Sequence, residues 1–176
     1  MRVIGLDLSL TATGIATDTT TTDIGTSTIT TPKLDGMERL DRLRNLIRAA
    51  THDAHLVIIE GYAYGAGRAG GTTHSHALGE LGGIIRLDLY DRGIPHVDIP
   101  PATLKKYATG KGNASKAEIL AAAIRRLDYA GADHNEADAM WLHAIGRDAY
   151  QLGDPHVPAS HRAALDKITW PNLTRP

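Results

Sequence analysis

Leu56-Val57-Ile58-Ile59 is a run of four apolar residues with no polar residue between them. A strand with one wet face alternates polar and apolar side chains, so an unbroken run belongs to a strand covered on both faces, as in a parallel sheet. A second apolar stretch, Arg2 to Leu8, fits another buried strand but carries Asp7 inside it. Strands covered on both faces need helices above and below, and the sequence supplies them. Between Gly36 and Ala50, Met37, Leu40, Leu43, Leu46 and Ile47 recur at spacings of three and four, with arginines between them. Leu78, Leu81, Ile84, Ile85 and Leu89 do the same from Ser75 to Arg92. Three more helices are expected over Pro101 to Tyr107, Ser115 to Leu127 with Ser115 as N-cap, and Asn135 to Tyr150.

Thr13 to Thr17 and Asp23 to Thr30 read as strands, and the dense threonines there suit the polar outer face of a β-meander. Ile94 to Ile99 adds a short strand, and Gly61 to Thr73, rich in Gly and Ala, reads as a loop. The expected fold class is α/β, a mixed sheet of three antiparallel strands plus parallel strands flanked by helices. Its site should lie at the carboxyl ends of the parallel strands. The 176 residues suit one domain, with the main body over 1–150 and residues 151–176, which hold Pro155, Pro158, Pro171 and Pro176, as a tail of that domain with one short helix near His161 to Ile168.

Nothing in the sequence has the length of a membrane span or the layout of a signal peptide, so a soluble, cytoplasmic protein is expected. The absence of cysteine excludes thiolate zinc sites and cysteine nucleophiles, leaving carboxylates, histidines and hydroxyls for chemistry. With 19 Lys+Arg against 20 Asp+Glu the chain is not globally basic. From Pro101 to Arg126, however, Lys105, Lys106, Lys111, Lys116, Arg125 and Arg126 face one acid, Glu118, a basic patch in a neutral protein.

An unpaired carboxylate at Asp7, flanked by Leu6 and Leu8, either costs several kcal/mol or is forced to protonate. Glu60 repeats the situation at the end of the Leu56–Ile59 run. If the two strands are neighbours, the two carboxylates converge at one edge of the sheet. Asp133, Glu136 and Asp138 cluster at the start of the last helix, where acids also serve the helix dipole. Asp138 lies near the apolar stripe of Ala137, Met140, Trp141, Ala144 and Ile145, where solvation explains it poorly. Trp141 itself reads as core. Three or four converging carboxylates suit a hard cation with oxygen ligands, Mg²⁺ with Mn²⁺ as a substitute, and such sites perform phosphodiester hydrolysis.

These residues resemble the RuvC family of Holliday-junction resolvases, of the ribonuclease H-like superfamily, especially its phage-type members. The resemblance rests on Gly5-Leu6-Asp7-Leu8-Ser9 with Thr13-Gly14, on Ile58-Ile59-Glu60, on Pro101 to Lys106 running through Thr109 to Lys116, and on Asn135-Glu136-Ala137-Asp138-Ala139. It covers roughly residues 1 to 150 and implies a nuclease domain there. It further implies a homodimer that nicks branched DNA, a four-way junction, using Mg²⁺ held by Asp7, Glu60 and Asp138. The family's fourth ligand falls on Asn135, which offers only a neutral oxygen, so Asp133, His134 or Glu136 is a candidate replacement. Lys105, Lys106, Lys111 and Lys116 match the family's DNA-contacting basic region, and Tyr62, Tyr64 and Arg68 lie where it places junction contacts. Arg125 and Arg126 read as a solvated helix face, and His74 and His76 as surface residues. The rival readings are a nuclease acting on forks, flaps or RNA–DNA hybrids, and a non-catalytic junction-binding protein.

Overall fold

The computed structural model describes residues 1–19, 24–31, 33–61, 72–153 and 155–173. Five strands, β1 (Val3–Asp7), β2 (Ala12–Asp18), β3 (Ile24–Thr30), β4 (Leu56–Glu60) and β5 (His96–Ile99), form one sheet in the order β3-β2-β1-β4-β5. β1 pairs antiparallel with β2 and parallel with β4; β2–β3 is antiparallel and β4–β5 parallel. This is the mixed sheet expected, with the two most apolar runs side by side at its centre. Every residue of β1 is buried, as are the first four of β4.

Alternate residues of the central strands face opposite sides, and each side has its own core. Ile4, Leu6, Val57 and Ile59 pack under α1 (Gly36–Ala50) and α2 (Thr72–Asp91), against Leu40, Leu43, Ile47, Leu81, Ile85 and Leu89. Val3, Leu56 and Ile58 pack on the other side with α3 (Pro101–Thr109), α4 (Lys116–Arg126) and α5 (His134–Ala149). Trp141 is fully buried there, edge-on to Tyr107 with ring centroids 6.0 Å apart. Ser115 caps α4 in a reciprocal capping box with Glu118, each side chain meeting the other's backbone N–H.

The helix expected from Ser75 starts at Thr72, so the loop gives up its last two residues. The apolar spacing begins only at Leu78, but neither Gly nor Pro interrupts Thr72 to His74, so the helix extends further back. The last strand starts at His96 rather than Ile94, because the turn after α2 holds Ile94, whose N–H donates to Leu89 O. The short helix expected near His161 to Ile168 is a turn of α-helix α6 (Ala159–Arg162) running into a 3₁₀ turn, Ala163–Leu165. Among the described residues no helix is long and apolar enough to cross a membrane.

Candidate active site

Asp7 closes β1 and Glu60 closes β4. The parallel ladder pairs Leu6 with Ile59, so its next step brings Asp7 and Glu60 abreast on one edge of the sheet. Asp138 arrives from α5, whose backbone lies directly on β1 and β2. A Cβ on Gly14 would stand 2.1 Å from the Asn135 carbonyl oxygen, and one on Gly5 would stand 2.1 Å from the Ala139 oxygen and 2.6 Å from the His143 nitrogen. Only glycine permits that approach. Gly14 is the cross-strand partner of Asp7, and Asp138 lies between the two helix contacts, so the helix delivers its carboxylate to the end of β1.

Asp7 and Asp138 are each only 7% exposed. Burial is the largest influence on all three carboxyls. At Asp7 the Glu60 and Asp138 charges and a hydrogen bond with Glu60 add to it, while Lys116 opposes, and the pKa is pushed up to about 9. Asp138 is raised to about 7 by burial and the Glu60 charge, against Lys116 and Lys105. Glu60 is raised by burial but pulled back by the bond from Asp7, then by Lys116 and Lys105. Asp7 is thus the proton holder of the pair. Among the described residues no group of three or more His, Cys, Asp or Glu side chains is placed so that it could hold a metal ion. The charges of Glu60 and Asp138 act on Asp7, and that of Glu60 on Asp138, as expected of neighbouring carboxyls.

The basic residues divide. Lys105 on α3 and Lys116 at the start of α4 act on the carboxyls, whereas Lys106 is exposed and Lys111 pairs with Glu118 at 3.5 Å. Arg125 is exposed, and Arg126 donates to His156 O at 3.4 Å. Tyr62, Tyr64 and Arg68 lie outside the described residues, as does the His74 side chain; His76 is exposed.

Asp133 and Glu136 are engaged away from the carboxyl group. Asp133 is the N-cap of α5, accepting from the Asn135 and Glu136 N–H groups at 2.7 and 3.3 Å. Glu136 accepts from the hydroxyls of Thr26, Thr28 and Tyr129 at 2.7, 3.2 and 3.0 Å. Asn135 stands one turn before Asp138 with its backbone oxygen against Gly14. The His134 Nδ1 atom is buried with no hydrogen-bond partner among the described residues.

Two polar groups escaped the sequence reading. On α5, Arg147 pairs with Asp18, and the fully buried His143 places Nε2 3.2 Å from the same carboxylate, off the line of a well-formed hydrogen bond. Asp148, also buried, accepts from Tyr107 and Arg162. Histidine and arginine at helical spacing after the acidic motif were the available signal, but their partners lie far away in sequence.

No family model matches the chain. A curated relative, the crossover junction endodeoxyribonuclease RuvC of Rhodococcus opacus (strain B4), is 31% identical over 156 residues, covering 81% of this chain and 78% of its own. Among solved structures, Thermus thermophilus RuvC superposes with a TM-score of 0.65 at 19% identity, covering 88% of this chain and 99% of that one. The same protein in complex with a Holliday junction substrate gives 0.65 at 20% identity, over 81% and 90%. These likenesses agree with the mixed sheet in establishing a ribonuclease H-like fold. Sequence identity and architecture together place this chain in the RuvC family of crossover junction endodeoxyribonucleases.

Proposed function

We propose that the chain nicks four-way DNA junctions by metal-dependent phosphodiester hydrolysis, with Asp7, Glu60 and Asp138 as the metal-binding carboxylates. The observation that carries this reading is the meeting of three carboxyls, two buried and one half-buried, from two strand ends and a helix, at one sheet edge, with Lys105 and Lys116 acting on them among the described residues. The donor set fits a hard divalent ion. All the ligands are oxygen, thiolate is excluded, and the raised pKa values show a site short of positive charge; Mg²⁺ is the expected ion and Mn²⁺ its substitute. When bound, such ions supply activation of the attacking water and stabilisation of the leaving 3′-oxygen.

The chain's own residues bind and orient. Lys105 and Lys116, flanking the carboxyls, are suited to hold the phosphate that is cut, while Lys106 and Lys111 contact the backbone farther out, a source of affinity sensitive to salt. Tyr62, Tyr64 and Arg68 follow Glu60 directly in sequence and are assigned to contacts at the branch point. Asn135 contributes at most a neutral oxygen, which leaves one metal position less charged than an acid would make it. The working unit is a homodimer. Leu87 and Tyr90, 60% and 78% exposed and one turn apart on α2, are apolar side chains suited to a second copy.

The test is a synthetic four-way junction incubated with and without Mg²⁺ beside a linear duplex, a fork and a flap. Paired nicks in the junction that require metal are expected. Equal cutting of the duplex, or preference for the fork or flap, would reject junction selectivity, and tight binding without nicking in Mg²⁺ or Mn²⁺ would favour the non-catalytic reading.

A further inference from the structure

We infer that the 157–173 segment is a positioning strap for the basic helix α3, acting on Lys105 through Arg162 and His161; this rests on the role given to Lys105 above. α3 has only nine residues, its N-cap is Pro100 with no side-chain cap, and its first turn holds no acid. A helix that short is not stable alone and takes its position from what packs on it. Leu104, Tyr107 and Ala108 form its buried side, against α4, α5 and the strap, into which Val157 and Leu165 are also buried.

Polar contacts make the placement specific. Asp148 of α5 accepts from the Tyr107 hydroxyl of α3 at 3.0 Å and from Arg162 Nε and Nη2 of the strap at 2.8 and 2.7 Å. The helix presenting Asp138 and the helix presenting Lys105 are therefore joined through one buried carboxylate, and the guanidinium fork supplies its charge balance. His161 Nδ1 lies 3.0 Å from the Tyr107 carbonyl oxygen, in the last turn of α3 and two residues beyond Lys105. Its ring covers Gly110, the left-handed C-cap of α3 (φ +84°), where a Cβ would stand 2.8 Å from His161 Nε2. The far end of the strap is fastened separately: the Tyr150 hydroxyl donates to Pro171 O at 2.6 Å, and its ring meets Trp170 edge-on.

Stability alone would account for such contacts, but it would not make their loss depend on Lys105. The test is a double-mutant cycle on the full chain, with Arg162→Ala, Lys105→Ala and the double variant assayed for single-turnover junction nicking, and for junction affinity in Ca²⁺. Circular dichroism and thermal melts select a temperature at which every variant is folded. Since misplacement by about 1 Å can cost on the order of 100-fold in rate, a partial shift of α3 is expected to lower the nicking rate about tenfold while changing affinity less than about threefold. In the Lys105→Ala background the same substitution should have almost no further effect. Arg162→Lys, which keeps the charge but not the fork, should recover part of the rate. Additive losses, or a folded Arg162→Ala protein with the wild-type rate, would overturn the proposal. If Arg162→Ala does not fold, His161→Ala takes its place in the cycle under the same criteria. Failure of the wild-type chain to nick any junction would count against the proposed function, whereas additive losses in an active enzyme count only against the strap.

Discussion

Gly14→Ala should disable the enzyme from a position that carries no functional group. The new Cβ would sit 2.1 Å from the Asn135 carbonyl oxygen, 2.4 Å from its carbon and 3.0 Å from the Glu136 nitrogen, all of them backbone atoms that no rotamer change can move aside. Restoring even a 3.0 Å contact requires the first turn of α5 to lift from the sheet by about 1 Å. That lift carries Asp138, one turn on, away from Asp7. Overpacking of this kind costs about 1–3 kcal/mol, and for a chain of this size the melting temperature should fall by about 2–12 °C. Displacing a catalytic group by about 1 Å costs on the order of 100-fold in rate. Thermal melts and single-turnover nicking at a temperature where the variant is fully folded read the two effects separately. A Gly14→Ala protein with unchanged melting temperature and unchanged nicking rate would refute the claim that backbone contact with β2 sets the position of Asp138.

Two further predictions concern charge. Asp7 and Asp138 hold protons in the native chain up to about pH 9 and about pH 7, while the unfolded chain releases them near 3.8. The native state then binds more protons across that window, so stability falls as pH rises, by at most about 1.4 kcal/mol per pH unit for each group. In chelator the melting temperature should decline from pH 5 to pH 9, Asp7→Asn should flatten the decline while abolishing nicking, and added Mg²⁺ should stabilise most at the alkaline end. A melting temperature indifferent to pH would contradict the burial of the Asp7 and Asp138 carboxyls. Lys106→Ala should weaken junction binding and lower the slope of log affinity against log salt by about 1, with the nicking rate at saturation little changed; an unchanged slope would remove Lys106 from the DNA interface.

Much of this architecture could be read from local pattern. Leu56 to Ile59 had to be covered on both faces, and the spacing in α1 and α5 marked their buried sides. Asp7 and Glu60 stood out because a carboxylate in or beside an apolar strand demands an explanation, and the structure sets them abreast. What stayed hidden depends on pairs remote in sequence. Asp133 and Glu136 look like spare metal ligands until Thr26 and Thr28, more than 100 residues away, are seen to take their oxygens. Asp148 looks like a surface acid until Tyr107 and Arg162 close on it. Gly5 and Gly14 could be recognised as glycines inside strands, but which backbone they admit is known only once α5 is laid across them.

The distribution of polar ties along α5 follows from what its carboxylates must do. The Glu136 and Asp133 oxygens are held by threonine and tyrosine hydroxyls or by the helix's own N–H groups, and toward the other end Arg147 is tied to Asp18 and Asp148 to Arg162. Between these anchors, no hydrogen bond among the described residues holds the Asp138 carboxylate, which is buried and raised in pKa. Burying a carboxylate costs free energy, and a divalent cation at the proposed site would offset that cost. Satisfying Asp138 internally would stabilise the protein and weaken the electrostatic demand that the proposed metal ion would meet. Anchoring α5 on both sides therefore allows that demand to be kept at the one place where it can act on a bound ligand.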